Sequence, residues 1–121
     1  MSFAERFEEL RIWQDAREQV SAVYRCIARE SVGFSDFAFR DQIQRAAIST
    51  MNNIAEGFER KTFKDFAHFL DLAKGSCGEV RSMLYVAEDL HYITRDQATV
   101  LRDSAENLSK GIAAFQKHLR S

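Results

Sequence analysis

Two spacings in this chain have the form of metal-binding motifs. Asp65 with His68, and Glu88 with His91, each set a carboxylate and an imidazole three positions apart. In helical bundles that arrangement ligates a di-iron centre when two such motifs face one another from different helices. Here both fall on the expected third helix, with their histidines about 35 Å apart at helical rise, so they cannot meet within one subunit. No metal and no cofactor are expected. Cys26 and Cys77 lack the close spacing of a zinc or redox motif and are expected to be buried thiols. No GxSxG, phosphate loop or local Cys–His signature is present. Gly75 and Gly78 lie inside an expected helix, whereas phosphate loops use free amides at a helix start. His118 fits a surface position near a helix end. The chain is not expected to be an enzyme.

Two other groupings suit binding. Gln42, Arg45, Ser49, Asn52, Asn53 and Glu56 recur at near-helical spacing and form a polar ribbon along one face of the stretch QIQRAAISTMNNIAEG. Such a ribbon is a solvated face, a subunit interface or a groove satisfied by Arg and Asn hydrogen bonds. Just beyond it, Arg60, Lys61 and Lys64 cluster beside Phe58 and Phe63. Cations contact phosphates and aromatic rings stack on unpaired bases, so these five residues with Arg45 are the candidate nucleic-acid site. The net charge of −1, with a pI near 6.3, argues against coating nucleic acid by bulk charge. Any such surface must be local.

The elements that position these residues are helices. A chain of 121 residues with 45% hydrophobic and 29% charged residues is long enough for one folded domain over residues 1–121, without a structural metal. It contains no Pro, so long helices go unbroken. Phe7, Leu10, Trp13, Ala16, Val20, Val23 and Ile27 mark the first helix. Its start is set either by Ser2 with Glu5 or by a later turn near Glu8 and Glu9. Gly33, two Ser and Asp36 mark a connection, with Ser35 or Asp36 capping the second helix. Ile43, Ala47, Thr50, Ile54 and Phe58 share that helix's buried face, and Gly57 is expected to end it as a left-handed C′ residue.

Thr62 with Asp65 and Thr94 with Gln97 have capping-box spacing and open the third and fourth helices. Leu70, Ala73, Cys77, Val80, Leu84 and Ala87 form an antiparallel packing seam on the third. Phe66, Phe69, Met83, Val86 and Leu90 add a second stripe, which calls for a central position or cover from another subunit. Gly75, Ser76 and Gly78 interrupt this helix, and either a close approach by the Ala46, Ala47 and Ser49 region or a kink or local irregularity would account for them. Ala98, Leu101, Ala105, Leu108, Ile112, Phe115 and Leu119 carry the fourth helix to its end. Lys110, Lys117 and Arg120 complement its macrodipole. Short connections then predict an all-α, up-down-up-down antiparallel four-helix bundle. The N-terminal residues lack a secretory core and no apolar run spans a membrane, so a cytoplasmic location is expected.

RAAIST followed by NNIAEG, the aromatic and basic corner, FLDLAKGSCGEV and LHYI together carry a resemblance. The chain resembles the four-helix-bundle family encoded in intervening sequences of bacterial 23S rRNA genes, and is similar to the accessory proteins of diversity-generating retroelements. Arg45-Ala46-Ala47, Asn53 through Gly57 and Gly75-Ser76 are its specific parts. The resemblance implies a bundle that assembles as a homopentamer, with a role in binding RNA, DNA or nucleic-acid enzymes and no catalytic activity. Gln44 stands where relatives often carry a second Arg, and Ser35 where Pro is usual. The first change weakens a basic patch. A protein-interaction scaffold without nucleic-acid binding is the rival reading.

Overall fold

The computed structural model describes residues 3–121. They form four α-helices: α1 (Arg11–Cys26), α2 (Phe37–Phe58), α3 (Phe63–Asp89) and α4 (Arg95–Arg120). Side-chain contacts between helices run in opposite chain directions. Along α2 and α3, Gln42 meets Glu79, Ser49 meets Ser76, and Gly57 faces Phe66 and Phe69. Along α3 and α4, Gln116 bonds the Ala67 carbonyl, and Cys77 bonds that of Ala105. The bundle is the expected antiparallel one.

Helix starts follow local chemistry. Asp36, not Ser35, caps α2 by accepting from the Phe39 N–H at 3.1 Å. Thr62 accepts from the Asp65 N–H at 3.1 Å. Thr94 and Gln97 close a full reciprocal box. α1 takes the later of its two expected starts: a 3-10 turn at Phe7–Glu9 leads into it, and Leu10 occupies the cap without a side-chain acceptor. Ser2 lies outside the described residues.

α3 ends before His91, which departs from the expectation that both carboxylate–histidine pairs lie on one helix. His91 adopts the left-handed conformation, at φ 60°. Its N–H bonds the Glu88 carbonyl at 3.0 Å, and the next N–H, of Tyr92, reaches back to Ala87 at 2.8 Å. Those two bonds are a Schellman cap with histidine where glycine is usual.

The α3 seam holds throughout, since Leu70, Ala73, Cys77, Val80, Leu84 and Ala87 are all fully buried. Towards the α2–α3 corner the core is rich in aromatic rings, with Phe66 and Leu70 packed against Phe3, Phe58 and Phe115. Towards the other end it is aliphatic around Val23, Ile43, Val80 and Leu84. The second stripe of α3 is only partly covered. Phe66 is buried, but Val86 is 42% and Leu90 49% exposed.

The glycines correct two expectations. Gly57 does not end α2, which continues through Phe58 and stops at Glu59 in the right-handed region. A Cβ on Gly57 would lie 2.7 Å from Phe69 Cβ and 2.8 Å from Phe66 Cδ1, so the residue is small because α3 crosses there. The close approach that would account for Gly75 and Gly78 is not made at either, since a Cβ there would meet nothing within 4 Å, and α3 runs through them from Phe63 to Asp89 without a break. The approach is made instead by Ser76, whose hydroxyl lies 2.9 Å from that of Ser49.

Candidate nucleic-acid interface

The polar ribbon of α2 lies beside the outward stripe of α3, and most of its members have partners. Arg45 pairs with Asp41 at 2.9 Å, one turn earlier. Asn53 donates to the Ser49 carbonyl at 2.8 Å and to its hydroxyl at 3.0 Å. Gln42 donates to Glu79. Glu56 pairs with Arg60 at 3.2 Å, and Asn52 is exposed. As expected, Arg45 and Glu56 do not pair with each other. The ribbon is a hydrogen-bonded seam edge more than a row of free groups.

The corner between α2 and α3 is different. Arg60 stacks over the Phe69 ring at 4.5 Å while holding Glu56. Lys61 and Lys64 are exposed and form no ion pair among the described residues. Phe63 is 45% exposed and touches Phe3 with ring centroids 5.9 Å apart. Phe58 is half-buried with its ring edge-on to Phe66 at 6.1 Å. The corner thus presents two free ammonium groups, one stacked guanidinium and one accessible ring.

The fold adds residues that spacing alone did not join to this corner. Phe3 contacts both Phe63 and His118, and His118 stacks edgewise on Phe115. Arg120 reaches Asp71 on α3 at 3.6 Å. The C-terminal cations of α4, read as dipole partners, therefore stand at the same end of the bundle as Lys61 and Lys64. The antiparallel topology was the signal that could have joined them.

Gln116 was likewise missed. It is buried and donates to the Ala67 carbonyl at 2.8 Å and to Asp71.

Neither cysteine sits in the environment of an activated nucleophile. Burial pushes the Cys26 thiol up to about 11 and raises Cys77 as well, which is the opposite of an activated nucleophile. Cys77 is fully buried, whereas Cys26 is only partly so, short of the expected burial. Among the described residues no group of three or more His, Cys, Asp or Glu is placed to hold a metal ion. Among the described residues no helix is long and apolar enough to cross a membrane.

Comparison with known proteins fits the fold. A crystal structure of a protein of unknown function from the S23 ribosomal protein family of Bacteroides thetaiotaomicron superposes with a TM-score of 0.79 at 22% identity. The match covers 88% of this chain and 98% of that one. No curated protein matches the sequence. The family model for the 23S rRNA-intervening sequence protein matches residues 8–114, a span that includes all of α1, α2 and α3 and most of α4. The chain belongs to the 23S rRNA-intervening sequence protein family.

Proposed function

We propose that this protein is a non-enzymatic, single-domain bundle that assembles with copies of itself and binds RNA or DNA electrostatically through the α2–α3 corner. The observation that carries the reading is the pair of exposed, unpaired ammonium groups on Lys61 and Lys64, beside the accessible Phe63 ring. Arg60 extends that patch along the corner while paired with Glu56, and Arg45, about four turns back along α2 and paired with Asp41, is the outlying member of the proposed site. Only a few phosphates can be reached from one subunit, so repeated copies in a ring would raise the effective concentration of each further contact. A ring of five is the assembly suggested by the resemblance, which also covers retroelement accessory proteins.

Mobility shift of single-stranded RNA and duplex DNA at about 50 mM salt, where phosphate contacts are strongest, tests the reading. Binding should weaken in Lys61→Ala/Lys64→Ala, and the dependence of log K on log salt on a duplex should flatten by about two units. A wild type that shifts neither nucleic acid rejects the proposal. Wild-type binding left unchanged by the double substitution moves the site away from the corner.

A second reading, a protein scaffold, is favoured by one observation. Leu72, Tyr85 and Val86 on α3, with Leu90 at its C-cap, are each 42–52% exposed, apolar side chains that a partner could cover. The same surface supports self-assembly. Light scattering that finds a stable monomer at micromolar concentration rejects the ring.

A further inference from the structure

The connection that leads into α2 is pinned in place. It contains a 3-10 turn at Val32–Ser35, opened by Ser31, which accepts from the Gly33 N–H at 3.2 Å. Gly33 is buried against the Tyr92 ring, so closely that a Cβ there would lie 2.6 Å from Tyr92 Cγ. This anchoring sets Phe34 beside Phe37 and Arg40, which stand three residues apart and so share a face of α2.

Arg40 is the informative residue. Its guanidinium carbon lies 4.1 Å from the centroid of the Phe34 ring and 4.8 Å from that of Phe37, and one of its nitrogens donates to the Phe34 carbonyl at 2.6 Å. The cation is thus oriented before any ligand arrives. The carboxylates nearest to it in sequence are engaged elsewhere: Asp36 accepts from the Phe39 N–H and the Tyr92 hydroxyl, and Asp41 holds Arg45 at 2.9 Å. Among the described residues Arg40 forms no ion pair.

Phe37 is 67% exposed, the most open aromatic side chain among the described residues. A hollow of about 420 Å3, within the range of ligand pockets, opens between Phe37, Ala38, Arg40, Asp41 and Gln44. The Asp41 charge on its rim is offset by Arg45, which leaves Arg40 as the uncompensated one. Spare guanidinium N–H groups suit a phosphate, and an open ring beside a planar cation suits a nucleobase. A simple anion would use the first feature and leave the second bare.

We propose that the Phe34, Phe37 and Arg40 cluster binds a nucleotide unit, its base stacked on Phe37 and its phosphate held by Arg40. No covalent step is involved. The 22 residues of α2 put the α2–α3 corner about 30 Å away, beyond the reach of one nucleotide. The two sites therefore stand or fall separately.

The test is an amide-resolved NMR titration of the full chain with AMP at physiological salt, against adenosine, inorganic phosphate and N-acetylphenylalanine. AMP should give a saturable shift of amides in residues 34–44, with each control binding more weakly. Phe37→Leu should weaken AMP binding by about tenfold, the scale of one base–aromatic stack, and leave phosphate binding unchanged. Arg40→Lys, which keeps the charge and loses the planar fork, should weaken both. Because the Phe37 ring is exposed, its variant keeps the test valid if Arg40→Lys loosens the turn. Tighter binding of single-stranded hexa-adenylate than of AMP at these amides assigns the unit to a strand, and equal binding assigns it to a free nucleotide. The proposal is overturned by no shift in residues 34–44, by equal affinity for adenosine or for phosphate, or by unchanged AMP affinity in both variants. N-acetylphenylalanine binding as tightly as AMP also overturns it, since that result assigns the cluster to a protein carboxylate.

Discussion

The α2–α3 pair and the α1–α4 pair are both antiparallel contacts of one bundle, yet they are built in opposite ways. At the first, a glycine lets one helix lie against two phenylalanines, and the hydroxyls of Ser49 and Ser76 satisfy each other. Thr50, fully buried, returns its hydroxyl proton to the Ala46 carbonyl at 2.9 Å. At the second, the helices separate over a cleft and leave Gln19 Oε1 unmet. Chain connection explains part of the contrast. Four residues join α2 to α3, whereas α1 and α4 are the first and last helices and meet only through side chains. Close packing demands small residues and complete hydrogen bonding. A gap tolerates larger polar ones.

Adding carbon at matched places breaks or sharpens that contrast. The largest effect belongs to Gly57→Ala, where the new methyl group has no room. It should cost about 1–3 kcal/mol by overpacking, although Ala is the better helix former by about 1 kcal/mol. Urea unfolding measures the net loss, and a stabilised variant would show that the α2–α3 pair is not tightly closed. In the α1–α4 cleft, Ala22→Leu should do the reverse, adding stability of about 1 kcal/mol by covering apolar floor. A loss there would mean the cleft is already filled.

Smaller still are Gly75→Ala and Gly78→Ala. Each should raise the stability of an isolated subunit by up to about 1 kcal/mol, because the added Cβ meets open space. If α3 docks a second copy by this face, the same variants lower the assembly state in light scattering while raising monomer stability.

The least effect comes from a bond outside both pairs. Tyr92 donates to Asp36 at 2.6 Å. This bond, then the Phe39 N–H, holds the Asp36 carboxyl below its ordinary range. A depressed carboxylate adds stability above its unfolded pKa and loses that contribution as pH falls through the folded value. Tyr92→Phe should therefore flatten the acid limb of the stability curve and leave neutral-pH helicity unchanged.

The helical seams were legible because periodicity reports burial directly. Every member of the α3 seam is buried, and so is Gln116, which the pattern passed over because a polar type hides a core position. Glycines were not legible in the same way. The letter is identical whether the backbone turns left-handed, as expected for Gly57, or a neighbour crosses closely, as found there. Conversely, His91 takes the left-handed cap that no glycine marks. The basic corner could be read from Arg60 to Lys64, because those residues are adjacent in sequence. Its continuation onto His118 and Arg120 depends on which helix ends meet, and one-dimensional spacing does not carry that.

The parting of α1 from α4 also has a consequence for local opening. Of the four helices α1 makes the fewest contacts with the rest, and one of its flanks borders a cleft. Val23 is nonetheless as buried as Leu84. Hydrogen exchange follows the free energy of opening and not depth alone, so backbone amides around Val20 and Val23 should exchange ahead of those between Leu70 and Leu84. The first helix would then behave as a separable unit, lifting from a three-helix remainder well before the chain unfolds globally.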